Sequence, residues 1–211
     1  MKDIKRSCAD CAAISCHKGD GKYPAFCVSE NMDKELKEKA ISQYNGEELK
    51  MMQVAALVEC DGYGHLTRVQ ETIDFAKRMG YKKIGIATCV GLIKETNTLA
   101  KILRSHGLEV FGIGCKAGEV LKRELDIEPR CDKTGVNICN PILQAETLNK
   151  ENTDFNIIMG LCVGHDMLFT KHSKAPVTTL VAKDRVMGHN PVAALYTSNW
   201  YYTKLYGEDE Q

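Results

Sequence analysis

The chain has 211 residues, equal numbers of basic (28) and acidic (28) side chains, 44% hydrophobic residues and ten cysteines. That length accommodates one α/β core and a small appended module, and the balance of apolar and charged residues excludes a disordered chain. Zero net charge with scattered Lys and Arg leaves no electrostatic footprint for nucleic acid.

No stretch approaches the roughly 18 apolar residues of a membrane span. Residues 1–8, Met-Lys-Asp-Ile-Lys-Arg-Ser-Cys, lack the apolar core of a secretory signal. The expectation is a cytoplasmic protein with neither a nucleic-acid nor a membrane partner. There thiols stay reduced, and clustered cysteines read as metal-binding or catalytic.

Residues 1–30 show neither helical nor alternating periodicity and form the first expected domain. Cys8, Cys11, Cys16 and Cys27 lie in C-x2-C-x4-C-x10-C, among turn signals at Gly19-Asp20-Gly21 and Pro24. A segment with no core of its own needs a metal to organise it. Four thiolates suit tetrahedral zinc or a [4Fe–4S] cluster equally, with His17 as a substitute ligand. The later spacings match neither the ferredoxin run nor a zinc ribbon, so the metal's identity stays open.

Residues 31–211 read as an α/β domain with a helical N-terminal part. A first helix, capped by Asn31 or Asp33, runs to about Tyr44, and Glu47 to Cys60 reads as a second. Cys60, a single thiol at a helix end, reads as structural. Thr67 and Gln70 stand in capping-box spacing at the start of a third helix that runs to Met79 before Gly80. From there strands and helices alternate: strands at 83–89, 108–115, 154–161 and 177–183; helices at 93–105, near 118–125, at 141–150 and at 165–171. Residues 126–138 read as a loop. This alternation predicts a parallel sheet covered by helices, a Rossmann-like three-layer α/β fold. The aromatic tail around Trp200-Tyr201-Tyr202 is expected to pack on the core.

Three junctions share one local grammar: Ala87-Thr88-Cys89-Val90-Gly91, Gly112-Ile113-Gly114-Cys115-Lys116-Ala117-Gly118 and Gly160-Leu161-Cys162-Val163-Gly164. Each puts a thiol at the carboxyl end of a strand, where parallel sheets form their ligand crevice. Cys89, Cys115 and Cys162 are therefore expected to share a site, with Cys131 or Cys139 as a fourth ligand. Following helix N-termini favour thiolate, the form that binds metal or attacks a substrate. His165 is a candidate ligand or proton donor, and Lys183 and Arg185 are candidate holders of a small anionic substrate. Gly112-x-Gly114-x3-Gly118 has the wrong spacing for a dinucleotide fingerprint, and no Walker A sequence is present.

The motifs Cys8-x2-Cys11-x4-Cys16, Gly62-Tyr63-Gly64-His65-x-Thr67-Arg68, Ala87 to Gly91, Gly160 to Asp166, and Ala175-Pro176-Val177 through Lys183-Asp184-Arg185 to Gly188-His189-Asn190-Pro191 resemble a family of cysteine-rich metal-binding proteins of bacteria and archaea with no known reaction. The resemblance spans nearly the whole chain and implies metal binding. The reading that follows is a metalloprotein, most simply an iron–sulfur one. Its N-terminal centre is structural or relays electrons from a partner, and its strand-end centre, open at one position, supports redox or sulfur-transfer chemistry. A zinc-binding carrier, sensor or interaction domain is the alternative from another class. A third reading has no second metal and makes one strand-end thiol a nucleophile.

Overall fold

The computed structural model describes residues 5–207. The chain divides into two compact units, Met1–Ala56 and Leu57–Gln211.

In the first unit, Ser7 opens a single 3-10 turn, Cys8–Asp10, through a capping box in which its backbone N–H donates to the Asp10 carboxylate at 2.7 Å. A one-turn helix, α1 (Ser15–Lys18), follows. The sequence carries no periodicity here, so these two turns correct the expectation of a segment without regular elements; capping chemistry makes them. Helix α2 (Lys34–Ser42) starts where the Asp33 carboxylate accepts from the N–H groups of Glu35 and Leu36. Helix α3 (Gly46–Gly62) runs past the boundary between the units.

The second unit opens on α4 (Arg68–Met79), which has the expected Thr67–Gln70 capping box and closes on left-handed Gly80. Then come β1 (Lys83–Thr88), α5 (Ile93–Ser105), β2 (Glu109–Gly114), α6 (Pro141–Lys150), β3 (Phe155–Met159), α7 (His165–His172), β4 (Val177–Val181) and α8 (Val192–Tyr196). The four strands form one sheet in the order β2-β1-β3-β4, every pair parallel.

Alternation along the strands assigns the two faces. Ile84 and Ile86 of β1 and Phe155, Ile157 and Met159 of β3 pack with Ile73 and Ala76 of α4 and Leu99 and Leu103 of α5. Ala87 and Ile158 point the other way, into a cluster with Ala145 and Leu148 of α6 and Phe169 of α7. Helices therefore cover both faces, as the sequence predicts. Gly85 marks a close approach: a Cβ there would lie 2.0 Å from Oδ1 of its register partner Asn156. Asn156 is fully buried and satisfied, accepting from Thr153 Oγ1 at 2.8 Å and donating to Ser173 Oγ at 2.9 Å.

Three local expectations change. The helix near 118–125 is a 3-10 turn over Lys122–Leu125, and the 126–138 loop contains another over Pro129–Thr134. Buried Lys122 ties these turns together, its ammonium donating to the Cys131 carbonyl and to Thr134 Oγ1. The aromatic tail does not pack on the core: Tyr196, Trp200 and Tyr201 are 78–86% exposed. Local bonds such as Tyr206 Oη to Asn199 Oδ1 at 2.9 Å brace the tail instead. Among the described residues no helix is long and apolar enough to cross a membrane.

Candidate functional site at the strand ends

After β1 the chain turns to β2 on one side, then returns past β1 to β3 on the other. Strand order therefore reverses between β1 and β3, and the carboxyl ends of those strands flank the position where such sheets bind ligands. Cys89 follows β1 and Cys162 follows β3, while Cys115 follows β2. The junctions are fixed by strand-like backbone bonds, Cys89 N to Met159 O at 3.1 Å and Cys115 N to Thr88 O at 2.8 Å. Cys139 arrives from the segment before α6, where Asn140 N donates to the Cys115 carbonyl at 2.8 Å. All ten cysteines are free thiols.

Three of these thiols gather in one place: Cys89 and Cys115 share a buried cluster, and Cys139 packs against it. Cys89 and Cys115 are buried and Cys139 half-buried. The surroundings of Cys89 and Cys139 favour their thiolate forms. Cys89 is held down at about 5, first by its bond to Cys115 and then by the Gly91 N–H and by Lys183, against the opposing effect of burial. Cys139 is held down at about 4, first by Cys115 and then by His165. Cys115 is pushed far above the usual thiol range, because its proton lies between two thiolates in a buried position.

Cations complete the arrangement. The bond to Cys139 raises the pKa of His165, the first residue of α7. The Arg185 guanidinium donates to Cys162 Sγ at 3.2 Å, and Cys89 and Cys139 also lie within its electrostatic reach. Lys183 and Arg185 sit on a loop that braces itself: the Asp184 carboxylate accepts from the N–H groups of Val186 and Met187, and His189 Nδ1 accepts from Asp184 N at 3.1 Å. His189, a turn residue in the sequence, thus supports the loop that presents both cations.

The structure brings Cys89, Cys115, Cys139, Cys162, His165, Lys183 and Arg185 to one end of the sheet. Cys131 lies in the Pro129–Thr134 turn, where its carbonyl is the engaged group. Of the two candidates for a fourth thiol, Cys139 is the one beside Cys115. Three contributors escape sequence reading. Lys116 adds positive charge near Cys139 and His165. The backbone of Gly91 lowers the pKa of Cys89, and that of Val90 opposes the rise at Cys115. Gln144, 1% exposed, donates to the carbonyls of Thr88 at 3.1 Å and Ile113 at 2.8 Å and so fixes the ends of β1 and β2. None of them carries a readable signal: even at Gly91 a Cβ would make only ordinary contacts, 3.7 Å from Cys89 Sγ and 4.0 Å from Lys183 Nζ.

In the N-terminal unit, Cys8, Cys11, Cys16 and Cys27 line a single hollow together with Tyr23 and Phe26. His17 is exposed and is not part of that lining. Protein bonds also order this segment: Ser15 Oγ donates to the Lys22 carbonyl at 2.7 Å, and Asn31 Nδ2 to the Cys27 carbonyl at 2.8 Å.

The donor sets of both places are soft sulfur ligands, which suit zinc, copper(I) or iron–sulfur centres. At the strand ends the backbone of Gly91 and Val90, which favours thiolate at Cys89 and Cys115, matches the hydrogen bonding to sulfur with which clusters of this kind set their potential. The spatial arrangement differs from a closed ligand set. Among the described residues no three His, Cys, Asp or Glu side chains already surround one metal-sized point.

The profile of a family described as "Protein of unknown function (DUF1847)" matches residues 27–180. The chain belongs to that family. The matched region contains Cys89, Cys115, Cys139 and Cys162 and ends before Lys183. The chain is also 43% identical, over 198 residues, to the "Uncharacterized protein MJ0455" of Methanocaldococcus jannaschii, an alignment covering 93% of this chain and 96% of that relative.

Proposed function

We propose that this protein is a cytoplasmic metal–thiolate protein whose working centre, an iron–sulfur cluster, occupies the crevice at the strand ends. Cys89, Cys115 and Cys139 supply its ligands. The single observation that carries this reading is the gathering of Cys89, Cys115 and Cys139, from three separate chain segments, into one cluster beside the reversal point of a parallel sheet. An ordinary core has no reason to lower the pKa of two thiols there and surround them with Lys116, His165, Lys183 and Arg185.

When bound, a cluster with three protein ligands supplies an open iron position for redox or sulfur-transfer chemistry. The chain's own residues do the rest. Lys183, half-buried beside Cys89, and Arg185, exposed at the mouth, hold a small anionic substrate next to that position. The neighbouring Cys139 raises the pKa of His165, which would serve as the proton donor there. Leu92, Leu161 and Phe169 keep water from the inner side. The four N-terminal thiols, all facing one hollow, form a second, structural metal site.

The test is a spectrum with iron, zinc and acid-labile sulfide analysis on anaerobically purified protein, beside the C89S/C115S/C139S variant. Brown protein that loses iron and sulfide in the variant supports the proposal. Equal metal content in both sinks it.

A second reading rests on the thiols themselves. Without a metal, the lowered pKa values of Cys89 and Cys139 would let either act as a nucleophile. It predicts a colourless protein in which one strand-end thiol is alkylated ahead of the others.

A further inference from the structure

The N-terminal thiols surround a hollow, not a point. Cys8, Cys11, Cys16 and Cys27 all line it, yet among the described residues no three His, Cys, Asp or Glu side chains lie around one metal-sized position. A zinc ion with thiolates at about 2.3 Å draws its sulfurs to within roughly 4 Å of one another. A cube of irons and sulfides instead keeps its thiolates apart, one at each iron corner.

The thiols sit on separate short turns, each closed by its own bonds. Cys11 N donates to the Cys8 carbonyl at 3.2 Å, and Cys27 N to the Pro24 carbonyl at 2.8 Å. Cys16 lies in α1, where Gly19 N donates to the Ser15 carbonyl at 2.8 Å. Further bonds tie the turns down: Ser15 Oγ to the Lys22 carbonyl, and Asn31 Nδ2 to the carbonyls of Ala25 at 3.0 Å and Cys27 at 2.8 Å. A centre with the breadth of a cluster suits thiols presented in this way. Ile14 adds an independent observation. Between Cys11 and Cys16 it lies at φ +46°, a strained conformation for a β-branched residue, and it is 56% exposed, so burial does not offset the strain. Ligation of the cysteines on either side does. The wall of the hollow suits a cluster whose thiolates make it anionic. Pro24, Phe26 and Val28 are apolar, and the Arg6 guanidinium brings positive charge to within 5.6 Å of the Phe26 ring centre.

We infer that this hollow takes a [4Fe–4S] cluster, ligated by Cys8, Cys11, Cys16 and Cys27, rather than zinc. The inference rests on the metal-site reading of these thiols and names the group they hold. With a thiolate on every iron, such a centre has no open position for substrate; it takes up and returns one electron.

The test uses the full chain carrying C89S/C115S/C139S, which lacks the crevice ligands. Purified anaerobically, it should be brown, with about four iron and four sulfide per chain and no zinc. Dithionite, as electron donor, should bleach it and produce the electron paramagnetic resonance signal of a reduced cluster. A colourless variant overturns the inference: with about one zinc per chain it leaves a metal site of another kind, and with no metal it overturns the metal-site reading as well. The converse variant, C8S/C11S/C16S/C27S, guards against misfolding of the first. Its iron and sulfide should fall below those of the wild type by about four each per chain, with zinc unchanged. A fall in zinc alone overturns the cluster, and no fall in any metal overturns the site.

Discussion

Gly160 joins β3 to Cys162, and its replacement by alanine tests how tightly the crevice is built. Its φ is +65°, a conformation that costs a residue with a Cβ about 1–2 kcal/mol. The new Cβ would also lie 2.3 Å from Leu92 Cδ1 and 3.5 Å from Lys183 Cε. Leu92 is 6% exposed and follows Cys89 in a tight turn, its N–H bonded to the Cys89 carbonyl at 2.9 Å, so it cannot swing away freely. Overpacking of this kind costs about 1–3 kcal/mol. Gly160→Ala should therefore lower unfolding stability by about 2–5 kcal/mol in urea titrations, with little change in the slope. The clash and the backbone strain separate in a double-mutant cycle. Leu92→Ala alone costs about 2–5 kcal/mol, but adding Gly160→Ala to it should cost only the backbone part, about 1–2 kcal/mol. An equal cost of Gly160→Ala in both backgrounds, or a loss below about 1 kcal/mol in the wild type, would refute this packing.

Other consequences are equally concrete. In metal-free protein, Cys89 and Cys139 have folded pKa values of about 5 and about 4, below the unfolded thiol value of roughly 8.5. The stability they contribute is fully present above the unfolded value and is lost as pH falls through 5 and then 4. Thiolate ultraviolet absorbance should accordingly persist at pH 6, and a single midpoint near 8.5 would refute it. Cys115→Ala should raise the Cys89 midpoint more than Lys183→Met does, because the bond to Cys115 is the larger cause; the reverse order, read by the same titration, contradicts it. C131S should leave the metal content intact and C139S reduce it, and elemental analysis that finds the opposite would move the fourth thiol back to the Pro129–Thr134 turn. Gln144→Leu removes two buried bonds to strand-end carbonyls and should cost about 1–3 kcal/mol in urea unfolding, an unchanged midpoint counting against the bracing role.

Much of the fold is legible because it follows from period and punctuation. The Thr67–Gln70 box, the Gly80 stop, Pro141 at the start of α6 and the apolar runs of β1 and β3 all act locally, and each lies where the sequence places it. The site is legible only in part. The repeated strand–Cys–Gly grammar finds Cys89, Cys115 and Cys162, since chain topology alone sends parallel strand ends to one place. It cannot separate Cys139 from Cys131, because both lie in irregular chain whose path depends on long-range bonds such as that from Asn140 N to the Cys115 carbonyl. Nor can it show that Cys162 pairs with Arg185 rather than with another sulfur, a matter of a 23-residue separation and a self-braced loop. The exposed aromatic tail is missed for a related reason: composition reports that Trp200 and Tyr201 are apolar, not which surface is left for them.

The most direct test of the crevice centre removes its competitor. A variant with Cys8, Cys11, Cys16 and Cys27 all changed to Ser is purified anaerobically, and its iron, sulfide and visible spectrum are compared with those of the wild type. A centre held by Cys89, Cys115 and Cys139 predicts that this variant stays brown and keeps iron and sulfide. A variant that is colourless and free of iron and sulfide beside a coloured wild type would contradict it and assign the chromophore to the N-terminal hollow.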